Sequence, residues 1–420
     1  MMKWWKGLEN QGKLILSKKL PPIFVNTGKN SRHGGCSCFE LGCHPEHACC
    51  YPVVTWLEKG SEESLPGSEV LARYQKSTSL KVIFGVISVA ILGLIVVYSI
   101  SVGSYKIPVS EVVSTIFLKN TSSAVHNVIW NIRIPRILTA IIAGAGLSVA
   151  GAAMQSILRN PLGSPYTLGI SSAAAFGAAF ALSALGAGSV ASRTAEAAII
   201  VNNPYLVTVC AFISALSATA VILLLVRYRG ATPETMILTG VALGSLFSAG
   251  TTALMYFAES MQIAAIVFWQ FGDAGKAGWS ELAIMTVISL PAVIYFMRNS
   301  WNYNSMKAGD ETAKSLGVNV ERVRIVGMVV ASLLTAVIVS FIGIVGFVGL
   351  VIPHIVRRFI GGNEMYLIPY SCVTGGLLLL AADTVARTII SPVVLPVGIL
   401  TSFLGAPLFI YLIIRGREYW

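Results

Sequence analysis

The sequence predicts an all-α integral membrane protein with ten transmembrane helices, and three observations carry that expectation. Hydrophobic residues make up 55% of the 420-residue chain and charged residues only 12%, with a mean hydropathy of +0.74; a soluble globular protein carries roughly 25% charged residues. The apolar stretches fall into windows of about 20 residues, the length an α-helix needs to cross a hydrocarbon layer of about 30 Å. The period-two alternation of an outer-membrane barrel is absent.

Residues 1–79 differ from everything that follows and are expected to form a separate cytoplasmic N-terminal extension, with a ten-span domain over residues 80–420. The opening MMKWWKGLENQGKLILSKKLPP is basic but has no apolar core of the kind a secretory signal needs. A Cys/His-rich segment follows at 33–50, with Cys36, Cys38, Cys43, Cys49 and Cys50 interleaved with His33, His44 and His47. Thiolates and imidazoles at this density suit Zn²⁺, Cu(I) or an iron–sulfur cluster, although the spacing C-x-C-x4-C-x5-C-C matches no common zinc-finger or ferredoxin pattern. An unstructured leader and a redox or partner motif stand as alternatives to metal binding. A reducing cytoplasm disfavours stable disulfides there. Cys210 and Cys372 lie singly in apolar spans, where a small buried thiol is the ordinary role.

After the polar linker Glu58–Glu69, the expected spans are 82–102, 135–157, 169–187, 205–226, 235–257, 279–297, 325–341, 343–357, 367–386 and 395–414. The run Ile325–Ile355 is too long for one straight span and carries Gly343, Gly346 and Gly349 in its middle, so it divides into two. Ala264–Phe271 is apolar but too short to cross. Gly144 with Ser148, and Gly240, Gly244 and Ser248, stand at four-residue spacing, which lets helices approach closely in lipid.

Ten spans put both termini on one side. Lys and Arg are more numerous in the loops of the side that holds residues 1–81 (Arg159, Arg227, Arg229, Arg298, Lys307, Lys314, Arg322 and Arg324 among them), which places both termini and the 299–324 loop in the cytoplasm. The net charge of +11 is spread over span ends rather than a basic stripe, which argues against nucleic acid as a partner.

The polar interruption Asn299–Arg324 is the most hydrophilic stretch after the first span. Its centre, GDETAKSLG, reads as a short helix between Gly309 and Gly317, with Asp310 at the N-cap, Glu311 in the first turn and Lys314 near the end, charges that suit the helix dipole. So short a helix needs a docking surface, its own protein or a partner. No GxxxxGK[ST] occurs, so the chain has no obvious phosphate cradle of its own and is not expected to be an enzyme. Ionisable residues within spans are few; Asp383 and Arg387, one turn apart, are the notable pair. Arg133 and Arg136 sit on the outer side against the positive-inside trend, either as lipid-phosphate anchors or as a positive patch for an acidic partner.

Several stretches together resemble the permease subunits of type II ATP-binding-cassette importers, the FecCD-like family that takes up ferric siderophores, haem and cobalamin. They are Arg133–Ala178 beginning RIPRILTAIIAGAG, ILTGVALGSLFSA at Ile237–Ala249, FWQFGD at Phe268–Asp273 and GDETAKSLGV at Gly309–Val318. GFVGLVIPHIVRRFIG at Gly346–Gly361, LLLLAADTVAR at Leu377–Arg387 and LPVGILTSFLGAPLFIYLI at Leu395–Ile413 complete the match. The resemblance implies the type II ABC importer permease fold, a second permease copy or paralogue, two cytoplasmic ATP-binding subunits and an extracytoplasmic substrate-binding protein. It implies that Gly309, Asp310, Glu311, Ala313, Lys314, Leu316 and Gly317 form the ATPase-coupling helix. It further implies that Arg133, Arg136 and Arg387 meet acidic residues of the binding protein. Transport by alternating access would need no catalytic residue on this chain and no cofactor in the ten-span domain. A ferric siderophore is the first expectation for the cargo, with haem or cobalamin as alternatives. An ion-coupled secondary carrier and a membrane-bound metal sensor are the readings from other classes. The extension of about 79 residues departs from the family, whose members usually begin shortly before the first span.

Overall fold

The computed structural model describes residues 67–103, 107–115, 122–187, 203–230, 232–390 and 393–415, all within one compact unit, Leu65–Trp420. The Cys/His segment at 33–50 lies outside the described residues, and the metal-site expectation for Cys36, Cys38, Cys43, Cys49, Cys50, His44 and His47 lies there with it. Cys210 and Cys372 are free thiols, each partly rather than fully buried.

Helices account for the fold. α1 (Gly67–Ser101) precedes the short α2 (Val109–Val113) and α3 (Ser123–Asn127). A π-helical stretch, Val128–Arg133, leads into α4 (Ile134–Ile157), whose Pro135 fits the first turn because the amide it lacks has no partner there. Next come α5 (Ile170–Ser183), α6 (Pro204–Arg229), α7 (Pro233–Phe257), α8 (Ser260–Gln270) and α9 (Trp279–Arg298). The polar interruption forms two helices, α10 (Ser300–Lys307) and α11 (Asp310–Ser315). The chain closes with α12 (Val320–Ile342), α13 (Val348–Ile360), α14 (Glu364–Thr388) and α15 (Val397–Arg415).

Seven of these are long and apolar enough to cross a membrane, and Ile170–Ser183 and Val397–Tyr411 are shorter apolar helices. Each expected span overlaps a helix, 343–357 through the short α13, and Ala264–Phe271 overlaps the end of α8. The first helix starts at Gly67, well ahead of the expected first span at 82. The glycine break in the long apolar run is real: α12 stops at Ile342, Gly343 follows at φ 86°, and α13 resumes after Phe347, itself left-handed at φ 66°.

α4 is the axial helix. In its most apolar window 78% of residues are buried, against 6% for α1 and 11% for α7, whose Leu238, Val241, Leu246, Tyr256 and Phe257 are exposed. Glycines explain how closely α4 is approached. A Cβ on Gly144 would lie 2.2 Å from the Gly375 carbonyl oxygen of α14, and one on Gly151 would lie 1.7 Å from that of Gly349 on α13. Gly240 and Gly244 of α7 likewise close on Leu168 and Gly169. The first motif therefore sits at a helix crossing and the second where α7 meets the turn that enters α5, places where dispersion contact replaces the hydrophobic effect as the packing force.

A methyl group or more at Gly375 has nowhere to go, because its Cβ would fall 2.4 Å from both the Gly144 carbonyl oxygen and the Ser148 Cβ. Gly375→Val is expected to lower the thermal midpoint of the detergent-solubilised protein, overpacking of this kind costing about 1–3 kcal/mol. Gly93→Val, at a position with no heavy atom within 4 Å of the added carbon, is the control and is expected to leave the midpoint unchanged.

Candidate functional site

Two polar clusters occupy opposite ends of α4. At its N-terminal end Arg136 directs its guanidinium at two carboxylates. Nε donates to both Asp383 oxygens at 3.0 and 3.1 Å, and Nη2 donates to Asp383 Oδ1 and to Asp273 Oδ1, each at 2.8 Å. Arg387 adds a second guanidinium, its Nε donating to Asp383 Oδ2 at 3.0 Å from one turn further along α14. Arg387 also donates to the Ser99 hydroxyl, and Arg133 to the Ile100 carbonyl, so both bind the C-terminal turn of α1. Asp383 has no solvent exposure; Arg133 and Arg387 retain 5% and 7%. Asp273 is the half-open member, with 29% of its side chain exposed.

Asp273 is held from below as well. Its Oδ1 accepts the Gly275 amide at 2.9 Å, and its own amide donates to the Ile342 carbonyl at the end of α12 at 2.9 Å. Lys276 donates to the carbonyls of Phe268, Trp269 and Phe271 at 3.2, 3.1 and 2.9 Å, closing the orphan acceptors at the end of α8. The 271–276 segment thus bridges α8, α12 and the arginines.

The three arginines expected to face a binding protein are therefore turned inward and paired with the chain's own groups. A fork of this kind satisfies buried charge, because bidentate contact offsets the desolvation of both partners. Asp383 and Arg387 were recognisable from their i,i+4 spacing in an apolar helix. Asp273 was not, since in sequence it is one polar residue in a glycine-rich loop.

At the other end of α4 lies α11. Gly309, at φ 115°, is the N-cap, and Asp310 is the first helical residue rather than the cap expected from its side chain. The reason is electrostatic: the Asp310 carboxylate is taken by Arg159 Nη2 at 3.1 Å and by Arg324 Nη2 at 3.0 and 3.2 Å, so it does not fold back on its own helix. The C-terminal end is a Schellman turn. Val318 N–H donates to the Ala313 carbonyl at 3.0 Å and Gly317 N–H to that of Lys314 at 2.9 Å, with Gly317 at φ 82°.

These closures sort the expected coupling residues by direction. Asp310 and the fully buried Ala313 face the bundle, while Glu311, Lys314 and Leu316 face out, with 92% and 61% of the Glu311 and Lys314 side chains exposed and Leu316 61% exposed. The Lys314 ammonium stands 3.4 Å from Glu311 across the open face.

Beside α11, a second cluster gathers around Glu364, which is fully buried. It accepts from the Ser156 hydroxyl of α4 at 2.8 Å and from Lys307 of α10, with Arg357 of α13 at 3.8 Å. The Glu364 amide donates to Asn304 Oδ1 at 2.9 Å. Tyr303, also fully buried, has its phenol pKa raised by burial and stays uncharged. Arg159, Arg324, Lys307, Arg357 and Glu364 are the members that sequence reasoning did not assemble. The available signal was that charged residues crowd the ends of otherwise apolar segments there.

Between the two ends, a cavity of about 850 Å³ opens among α4, α5, α12, α13 and α15, lined by Leu147, Tyr166, Thr335, Phe347, Ser402 and Phe403 among others and predominantly apolar. Among the described residues no group of three or more His, Cys, Asp or Glu is placed to hold a metal ion.

The sequence and the overall fold match known proteins. The FecCD transport family model matches residues 91–415. An ABC transporter permease protein of Methanocaldococcus jannaschii is 54% identical over 347 residues, covering 83% of this chain and 98% of the relative. The hemin transport system permease of Yersinia pestis is 35% identical over 304 residues, covering 72% and 88%. The vitamin B12 import system permease of Vibrio cholerae is 31% identical over 297 residues, covering 71% and 86%. Among solved structures, an inward-facing metal-chelate type ABC transporter superposes with a TM-score of 0.68 at 29% identity, covering 79% of this chain and 98% of that one. A multi-pass helical membrane protein with these relatives and this sequence match belongs to the FecCD transport family of ABC permeases.

Proposed function

We propose that this chain is the membrane subunit of an ATP-driven importer that passes an iron chelate, a ferric siderophore first, from an extracytoplasmic binding protein to the cytoplasm. Two ATP-binding subunits hydrolyse ATP in trans, and a second permease copy or paralogue completes the pathway beside this one. The geometry of α11 is the observation that carries the reading. A six-residue helix fixed on its inner face presents Glu311, Lys314 and Leu316 outward, the arrangement expected of a docking element and of little use to an isolated bundle. The Lys and Arg distribution supports a cytoplasmic position for α11 and for both termini. The largely exposed face of α7 offers room for a second copy.

An acidic binding protein would meet the arginine end. Arg136 becomes available to an incoming carboxylate if the half-exposed Asp273 gives way, while buried Asp383 keeps the guanidinium in place. The cargo class is supported by the relatives, whose names include hemin and vitamin B12, and by the metal-chelate type transporter among solved structures. Haem and cobalamin are therefore the cargoes to run beside a siderophore. The deciding experiment reconstitutes the chain with its ATP-binding subunits and binding protein in proteoliposomes and measures uptake of a ferric siderophore, haem and cobalamin. Uptake of the siderophore that needs ATP and stops with vanadate is the expected result. Preference for haem or cobalamin would change the cargo, and uptake without any ATP-binding subunit would replace the reading with an ion-coupled carrier.

A further inference from the structure

We propose that Asp310 is the positioning residue that conveys displacement of α11 into the bundle, acting inward through Arg159 and Arg324 rather than outward on a partner. The inference rests on the reading of α11 as the docking element and assigns its inner face a separate task.

The backbone alone is a poor transmitter here. α11 is only six residues long and is bounded by Gly309 at φ 115° and Gly317 at φ 82°, so it is not a rigid continuation of α10 or α12. What fixes it to the bundle is the buried Ala313 and one carboxylate shared by two guanidiniums. Arg324 lies on the first turns of α12, is 3% exposed, and donates through Nε to the Ile157 carbonyl, the last residue of α4, at 3.3 Å. Arg159 stands two residues beyond α4 and adopts φ 44°, a left-handed conformation that non-glycine residues occupy only at some cost. That turn brings its guanidinium 3.1 Å from Asp310. Asp310 thus ties α11 both to the turn just beyond α4, through Arg159, and to the start of α12, through Arg324.

α4 then carries any such movement away from this end. It is the most buried of the long apolar helices, pinned to α14 and α13 at glycine crossings, and its other end holds Arg136 of the arginine cluster. Spatial continuity of this kind is not coupling, which has to be measured as a change in linked activity. An exposed ion pair serving only local stability would contribute little and would leave the transport stoichiometry untouched.

The test uses the full transporter reconstituted with its ATP-binding subunits and binding protein. Asp310→Asn keeps the shape and removes the charge. The expected result is unchanged co-purification with the ATP-binding subunits, retained ATP hydrolysis, and at least a tenfold fall in cargo moved per ATP. Asp310→Glu is expected to recover part of the loss. Arg159→Gln, at a more exposed position, is expected to uncouple in the same way, with Asp310→Asn/Arg159→Gln no worse than Asp310→Asn alone. Wild-type cargo per ATP in Asp310→Asn overturns the proposal, and so does loss of co-purification in both Asp310→Asn and Arg159→Gln, which would make Asp310 part of the docking surface. Leu316→Asp separates the two levels of argument. If it too leaves transport intact, the docking reading has failed; if it abolishes transport while Asp310→Asn does not, only the role of Asp310 has failed.

Discussion

Replacing Asp383 with asparagine is expected to destabilise the protein by about 3–5 kcal/mol, the range for removing one partner from a buried ion cluster. The substitution changes almost no volume, so the effect reports charge. Asp383 has no solvent exposure and, among the described residues, is the one carboxylate paired with both Arg136 and Arg387. Without it, Arg136 keeps Asp273, and Arg387 keeps the neutral oxygens of Ser99 in α1 and the Val102 carbonyl just beyond it. An amide at this position would also present an N–H₂ to guanidiniums that need an acceptor. The comparison variant is Asp273→Asn, where a side chain 29% exposed is screened by water and the expected loss is about 0–1 kcal/mol. Thermal unfolding in detergent, read as the fraction remaining monodisperse, should separate the two clearly. Equal, small losses would mean that the cluster does not hold α4, α14 and the 271–276 segment together.

Leu316→Asp is expected to abolish ATP-driven uptake while leaving the protein inserted and folded. Leu316 is 61% exposed at the C-cap of α11, on the face that carries the exposed Glu311–Lys314 pair. An apolar side chain in that position is what a partner cleft would bury at the centre of its contact, where truncation commonly costs 2 kcal/mol or more, roughly thirtyfold in affinity. A carboxylate there also opposes the negative end of the helix dipole, by about 0.3–1 kcal/mol, so Glu311→Arg on the opposite end of the helix serves as an independent variant. Loss of uptake and of co-purified ATP-binding subunits in both variants supports docking on this face. Normal uptake by either one, once insertion is verified, removes it from the contact.

Much of the framework was legible in the chain. Helical windows near 20 residues, the glycine break at Gly343 and the small-residue spacings of Gly144 and Gly240 all correspond to helix bounds and crossings, because in lipid these features act locally: hydropathy sets where a helix can lie and the absence of a Cβ sets where two can touch. The Asp383–Arg387 pair was legible for the same reason, being one turn apart on one helix.

What the order of residues determined by itself is therefore the family, the placement of the apolar helices and the existence of a short helix between Gly309 and Gly317. The direction in which each charged side chain points was decided only by tertiary structure. Asp310 has the chemistry of an N-cap, yet two guanidiniums from positions 159 and 324 outbid the backbone for it. Arg133, Arg136 and Arg387 have the chemistry of an exposed patch, yet Asp273, Asp383 and the carbonyls of α1 draw them inward. In both cases a long charged side chain reaches several ångströms and a strong partner lies far away in sequence, so its neighbours along the chain hold no information about which charge it will meet.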